Sequence, residues 1–197
     1  LRNGFILYIV IAIILALVSG IYTDMGALML IWWIIWVAIS ALISELMVGI
    51  SAMHAGWFPG FATALIFLVL GMLMGFPPLA LVFLTGYTAS TGPAFADLGY
   101  DLKAGWILRG KAKDIDFEME GRRQQYFAEL LGAIVAVIFV LFTYRSYFLQ
   151  DLFPPVDRVF VATIEAGTTP GLWKTLLLWV IVGALIQWIG GAERQIG

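Results

Sequence analysis

Glu45 is the residue whose surroundings point most clearly to chemistry. It ends a long apolar run and is followed by Leu46, Met47 and Val48. An ionised carboxylate is costly in hydrocarbon, so such a residue usually faces the interior of a helix bundle or a water-filled cavity. The pattern favours a group that binds a proton or a cation during transport. The alternative is a carboxylate at the membrane interface that has no functional role.

His54 is a second candidate for proton coupling, because histidine titrates near neutral pH. It lies nine residues after Glu45. On a continuous helix that spacing places the two side chains about 180° apart, so they would meet only if the helix unwinds near Gly49 or Gly56. The alternative is an interfacial histidine at a helix end beside Trp57.

Glu129 is a third candidate for proton coupling. It follows Gln124-Gln125-Tyr126 and lies one turn inside another apolar run. A carboxylate in this position either faces a sheltered site within the bundle or extends its side chain to the nearby membrane surface. Both interpretations of Glu129 stay open.

The segment 86–93 combines hydroxyl side chains, two glycines and a proline at a depth where a membrane helix is expected. Irregular backbone at that depth persists only where protein or a cavity shields it, and broken helices line substrate sites in secondary transporters. The segment therefore predicts a substrate-binding site. Its candidate residues are Gly86, Tyr87, Ser90, Thr91 and Gly92. The alternative is a kinked helix whose hydroxyls satisfy freed carbonyl groups.

Composition defines the class of protein that must position these residues. The chain is 62% hydrophobic and 12% charged, with a mean hydropathy of +0.97 and a net charge of −2. A soluble domain has about twice that charged fraction. We therefore predict an all-α, polytopic membrane helix bundle that does not bind nucleic acid. With no cysteine and one histidine, we expect no metal site and no cofactor. Paired catalytic residues are also missing from the motifs, so we do not expect an enzyme.

Hydropathy predicts a single membrane domain, 1–197, with about six spans, of which the fourth contains the broken helix. Asp24 is the expected cap of the second span, and Gly- and Pro-containing breaks are expected at 54–60 and 75–78. The predicted spans are 4–21, 25–53, 61–75, 79–95, 124–143 and 172–190.

The charged segment 97–123 sets the predicted orientation. It holds six of the eleven Lys and Arg residues, and orientation follows basic residues rather than net charge. We expect this segment to be a cytoplasmic loop in a multi-pass protein of the cell membrane, with both chain ends also cytoplasmic. If the third and fourth spans form a re-entrant pair instead of two crossings, the ends are inverted.

Residues 101–108, Asp-Leu-Lys-Ala-Gly-Trp-Ile-Leu, resemble the Asp-Leu-Lys-Thr-Gly-Tyr-Leu motif of the oligopeptide transporter family, which includes the yellow-stripe-like metal–chelate transporters. The run from Arg123 to Gly132 resembles the opening of the next helix in that family. The resemblance covers about 86–132. Ala104 replaces the threonine of the motif, and 109–122 replaces a shorter, less charged linker.

The resemblance implies proton-driven import of small peptides or metal–chelate complexes. Asp101, Lys103 and Gly105 are its motif residues, and we expect Asp101 and Lys103 to form a structural or gating pair. Family members are much longer, so we expect a C-terminal portion that needs the remainder of the transporter, partner subunits or a second copy in a homodimer, all within a lipid bilayer. The alternative is a structural membrane subunit without transport activity, as the eight tryptophans also allow.

Overall fold

The computed structural model describes residues 2–167 and 172–194, which form helices joined by short connections. No strand occurs within these ranges, so the predicted all-α architecture is confirmed. The helices are α1 (Arg2–Ser19), α2 (Ala27–Ala55), α3 (Gly60–Leu73), α4 (Pro78–Leu108), α5 (Ile115–Leu149), α6 (Pro155–Gly167) and α7 (Leu172–Arg194), and a 3₁₀ turn at Ile21–Thr23 follows α1.

In the part of the chain that the structure describes, three helices are long and apolar enough to cross a membrane, namely α2, α4 and α5. They contain 29, 31 and 35 residues. At 1.5 Å per residue, even the shortest measures about 44 Å, more than the roughly 30 Å of a hydrocarbon core. Shorter apolar helices lie at Asn3–Ser19, Gly60–Leu73 and Leu178–Ile189, where the other three spans are predicted. The total number of crossings stays a prediction.

Glycine and proline end the helices as expected. Gly56 closes α2 with φ 65°, and Gly75 lies after α3 with φ 79°. Both values fall in the left-handed region that favours glycine. Both predicted breaks are thus confirmed. The expectation that Asp24 caps the second span is wrong: Gly26 is the N-cap of α2, and Asp24 closes the preceding 3₁₀ turn.

The core lies between α2, α3 and α4, while α1 packs against α2. The fully buried Trp33 indole donates a hydrogen bond to the carbonyl oxygen of Ala80, 3.0 Å away. Further along the same two helices, Ser44 donates to the carbonyl oxygen of Thr88. The later residue of α2 thus contacts the later residue of α4, so the two helices are parallel. We call this tightly packed pair the α2–α4 platform.

The expected break at 86–93 is wrong, and the structure agrees instead with the alternative of a helix whose hydroxyls bond to carbonyl oxygens, because α4 continues through the segment with Pro93 inside it. Hydroxyl side chains on both sides of Gly86 bond back to carbonyl oxygens one turn earlier: Thr85 to Leu81 at 2.7 Å and Thr88 to Leu84 at 2.8 Å. These bonds stay within the helix, so the hydroxyl groups have partners at membrane depth without a break in the backbone. The residues that looked like a break therefore form a continuous helix.

The charged segment 97–123 is also mostly helical rather than a loop. α4 extends to Leu108, and α5 begins at Ile115. The Asp114 carboxylate accepts a hydrogen bond from the backbone N–H of Phe117 at 3.0 Å and so caps α5. An N-cap aspartate and acids in the first turn stabilise a helix start. The cytoplasmic location of this segment stays a prediction.

Sequence reasoning missed α6, which lies within the connection predicted between the last two spans. Phe160 and Ile164, four residues apart, form one face of α6 and are buried. The Phe160 ring lies 5.4 Å from that of Phe61 on α3. Because i, i+4 spacing places apolar side chains on one helix face, α6 packs against α3 and α4.

Candidate functional site

Three helices meet at Glu45, which is half-buried on α2. The Tyr8 phenol of α1 lies near the Glu45 carboxyl group, and Tyr87 of α4 lies within the range of its electrostatic effect. The two tyrosine rings meet edge to face, with centroids 6.3 Å apart. We call Tyr8, Glu45 and Tyr87 the carboxyl–phenol cluster.

The Tyr87 hydroxyl is buried and has no hydrogen-bond partner among the described residues. Most buried polar groups are paired, because leaving one unpaired costs free energy. Tyr87 therefore brings an unused donor and acceptor to the neighbourhood of Glu45. A proton carrier or a polar substrate group could use both.

A buried hydroxyl seam fixes α2 against α4 beside this cluster. The hydroxyls of Ser40 and Thr88 lie 3.2 Å apart, and Ser44 donates to the Thr88 carbonyl oxygen at 3.2 Å. Gly92 makes the close approach possible, since a Cβ there would lie 2.5 Å from Ser44 Oγ and 2.8 Å from a Val48 methyl group. The seam holds Glu45 and Tyr87 on helices that cannot easily shift.

A groove of about 590 Å³ runs between α2 and α4 from Glu45 to Lys103. Its walls are mostly apolar, and Tyr100 closes part of it by donating to the carbonyl oxygen of Ala52 at 3.3 Å. The Lys103 ammonium lies 4.0 Å from the centre of the Trp106 ring. The volume is within the range of small-molecule sites. A groove of about 630 Å³ near the start of α2 is lined by no titratable side chain.

His54 does not join Glu45. It is exposed in the last turn of α2. The helix stays continuous through Gly49, so the unwinding that would bring the two together there does not occur. Nine residues of α-helix separate them by about 13 Å along the axis.

Glu129 belongs to a different place from Glu45. It is half-buried on α5 and interacts with the carboxyl group of Asp101 and, more weakly, with that of Asp97, both on α4. These residues line a groove of about 570 Å³ between α4 and α5. Within the described ranges, no group of side chains meets the requirements for a metal ion. The structure thus separates two of the predicted coupling carboxylates.

The other predicted substrate-binding residues do not converge on Glu45 as a set. Gly86 and Ser90 are exposed, whereas Gly92 is buried against α2. The hydroxyls of Ser90 and Thr91 donate to the backbone carbonyl oxygen of Tyr87 at 3.0 and 3.1 Å. Tyr87 alone among these five residues lies in the carboxyl–phenol cluster.

The motif residues point to different neighbours. Lys103 lines the α2/α4 groove, whereas Asp101 lines the α4/α5 groove, so the two lie on different faces of α4. Gly105 is buried because Gln125 and Arg109 occupy the space that a Cβ would need. A packing role explains this motif glycine.

Sequence reasoning missed Tyr8, Ser40, Ser44 and Thr88. Tyr8 carries the only hydrogen-bonding ring in the first apolar run, which was a usable signal. Ser40 and Ser44 are spaced i, i+4 within the apolar part of α2, which places both hydroxyls on one face. Thr88 lies within the segment interpreted as a broken helix, but it was not among the candidate residues named there.

These observations define an integral membrane helix bundle with a half-buried carboxyl site. The model of the OPT oligopeptide transporter protein family matches residues 4–196. The match spans nearly the whole sequence, and the chain belongs to this family, whose members are membrane transporters rather than enzymes. No curated protein and no solved structure matches the sequence.

Proposed function

We propose that this chain takes part in proton-coupled import of oligopeptides or metal–chelate complexes across the cell membrane, with Glu45 as the proton-binding group. One observation carries the proposal: Glu45 is half-buried where α1, α2 and α4 meet, beside the Tyr8 phenol and the unpartnered Tyr87 hydroxyl. A carboxyl group sheltered at membrane depth is the usual form of a proton relay in transporters.

The two phenols suit a group that changes its protonation state. A carboxylate only accepts hydrogen bonds, whereas a protonated carboxyl group also donates one. A phenol hydroxyl can donate or accept, so the nearby Tyr8 hydroxyl suits either form of Glu45, and the Tyr87 hydroxyl, which has no partner among the described residues, offers a further donor and acceptor close by. Glu45 therefore need not be left without partners when it gains or loses a proton.

The α2/α4 groove is the proposed substrate site. It has the Glu45 carboxyl group at one end, the Lys103 ammonium at the other, and apolar walls between them. Because Tyr100 lies level with Ala52, the two ends are about 15 Å apart along the helix axes, which matches an extended peptide of about four residues. The opposite charges of the groove complement the two termini of a peptide.

Uptake in proteoliposomes tests this proposal. The full chain is reconstituted, an acid-outside pH gradient is imposed, and labelled tetra-alanine or a ferric siderophore chelate is offered. Uptake that depends on the gradient supports the proposal. Uptake no faster than in protein-free liposomes contradicts the proposal that the chain transports on its own.

A structural membrane subunit is the second candidate function. The observation that favours it is α5, whose apolar segment has no buried side chain. Such a surface faces lipid, the remainder of a longer transporter, another subunit or a second copy. Purification in mild detergent separates the candidates: a subunit copurifies with a partner in fixed ratio and shows no uptake alone, whereas a transporter retains uptake as a purified chain.

A further inference from the structure

Arg109, at the end of α4, is held by contacts with two side chains of α5. Its Nε donates to Glu118 Oε2 at 2.9 Å, and its Nη2 donates to Glu118 Oε1 at 3.1 Å. Its Nη1 donates to Gln125 Oε1 at 2.9 Å. The Arg109 and Glu118 side chains are only 13% and 3% exposed. This is a bidentate arginine–carboxylate pair, the strongest geometry for such an interaction.

A second cation completes the arrangement. Arg122 Nε donates to Glu118 Oε1 at 2.7 Å from one turn further along α5. The hydrogen bonds from Arg109 and Arg122 lower the pKa of Glu118 to about 2. Glu118 lies outside the predicted spans. Because its pKa is this low, it is ionised at neutral pH. We call Arg109, Glu118, Arg122 and Gln125 the latch.

Two glycines make room for the Arg109 side chain. A Cβ on Gly121 would lie 2.5 Å from Arg109 Cδ and Nε, and a Cβ on Gly105 would collide with Arg109 and Gln125. Real Cβ atoms do not approach other atoms so closely, so a larger residue at either position displaces the Arg109 side chain. Both helices are shaped around this one guanidinium group.

The turn between α4 and α5 is strained. Gly110, Lys111 and Ala112 have φ values of 84°, 61° and 60°. Glycine adopts such angles freely, but Lys111 and Ala112 do so at a cost, because their Cβ atoms crowd the backbone. A turn held in this form requires contacts that keep it there. The latch lies directly beside it.

Beyond the latch, α5 is held to α4 by polar contacts at Asp101, whose backbone carbonyl oxygen accepts a hydrogen bond from Gln125 and whose carboxyl group interacts with Glu129. Its contacts with the described residues are concentrated on α4, and Glu118 is its one buried residue. Past Glu129, only small side chains of α5 line the α4/α5 groove, and a Cβ on Gly132 would meet no atom within 4 Å. The apolar interlocking that fixes α2 against α4 is missing here.

We propose that the latch sets the angle between α4 and α5, and that opening it lets α5 swing as a unit against the α2–α4 platform. Twenty-two residues of α5 separate Glu118 from Val140, a lever of about 33 Å. A tilt of about 10° at the latch thus moves Val140 by about 6 Å over that length. A small rotation at the latch therefore becomes a displacement of several ångströms at the far part of α5.

Distances between spin labels test the proposal. The chain has no cysteine, so Val82→Cys with Val140→Cys labels α4 and α5 alone, and Val82→Cys with Ile50→Cys labels the platform. All three side chains are exposed. The pulsed electron paramagnetic resonance measurement uses the full chain in lipid nanodiscs, in the latch variants Arg109→Ala and Glu118→Gln. Arg123→Ala is the matched control, because its pair with Glu120 is exposed and 4.0 Å long.

The latch variants should broaden the Val82–Val140 distribution or shift it by several ångströms, while Val82–Ile50 stays unchanged. Arg123→Ala should change neither. An unchanged Val82–Val140 distribution in the latch variants overturns the proposal. So does an equal change in Val82–Ile50, because the latch would then support the whole bundle. If Arg109→Ala does not fold, the milder Glu118→Gln decides between these outcomes.

Discussion

Tyr8 on α1 interacts through its phenol with the carboxyl group of Glu45 on α2, thirty-seven positions further along the sequence. The contact brings a third helix to the α2–α4 platform at the one acidic residue of α2. Tyr87 joins them from α4. The functional proposal depends on this meeting point, since no single helix supplies both the carboxyl group and its phenols.

Removing the Tyr8 hydroxyl should impair uptake. Tyr8→Phe keeps the ring contact with Tyr87 but removes the hydroxyl group that Tyr8 places near the Glu45 carboxyl group. A hydroxyl group that stabilises the ionised form of a carboxyl group contributes roughly 1.5 kcal/mol, so proton-driven uptake of tetra-alanine should fall about tenfold, with a changed pH profile. Tyr22→Phe, in the exposed 3₁₀ turn, is the control and should transport normally. Equal uptake by both variants would remove Tyr8 from the mechanism.

Substitution by alanine should change the stability of the protein in opposite directions at Gly92 and Gly86, although both residues were predicted to bind substrate. Gly92→Ala forces a methyl group against Ser44 and Val48 and should lower stability by about 1–3 kcal/mol. Gly86→Ala meets no atom within 4 Å and should raise stability by up to about 1 kcal/mol, because alanine favours the helix. Thermal unfolding in detergent measures both. A neutral Gly92→Ala would show that the close contact of α2 with α4 does not hold.

The latch should contribute stability that depends on pH. The folded-state pKa of Glu118, about 2, lies below the roughly 4.3 of an unperturbed glutamate. The latch therefore contributes its full stabilisation at pH values above the unfolded-state pKa of Glu118. This stabilisation is lost as the pH falls from about 4.3 towards 2. Melting temperatures of the wild type and Glu118→Gln should differ at pH 7 and converge as the pH falls through this window. A constant difference at every pH would contradict the ionised latch.

The turn of the α4–α5 hairpin should be accessible from the cytoplasm. Lys111→Cys, in the turn beside the latch, should react with a membrane-impermeant maleimide only after the cytoplasmic side is opened. Asp151→Cys, at the other end of α5, should react in intact cells, because α5 is long enough to cross the bilayer. The reverse pattern would contradict the cytoplasmic location of this turn.

Local chemistry explains which parts of the fold could be predicted. Gly56 and Gly75 end helices by their own backbone preferences, so the sequence reveals both breaks without tertiary information. The sequence also indicates that Glu45 is sheltered, since a carboxylate after a long apolar run has few alternatives. Segment 86–93 left two interpretations open, because hydroxyl side chains occur both at helix breaks and inside helices where they bond to carbonyl oxygens one turn earlier.

Contacts between distant residues could not be predicted. Arg109 and Glu118 lie in a run of mixed charges that resembles a solvated surface, and only the geometry of the α4–α5 turn brings them together. Tyr8 likewise comes close to Glu45 only because α1 packs against α2. In both cases the information lies in helix packing, which neither periodicity nor composition records.

The most direct test of the central claim is proton-driven uptake by Glu45→Gln in proteoliposomes, with Glu120→Gln as the matched control on the exposed start of α5. Glutamine keeps the size of the side chain and can still form hydrogen bonds, but it has no carboxyl group to bind and release a proton. We predict that Glu45→Gln folds normally and loses gradient-dependent uptake of tetra-alanine and ferric siderophore, while Glu120→Gln keeps it. Uptake by Glu45→Gln that still follows the pH gradient at the wild-type rate would contradict the account.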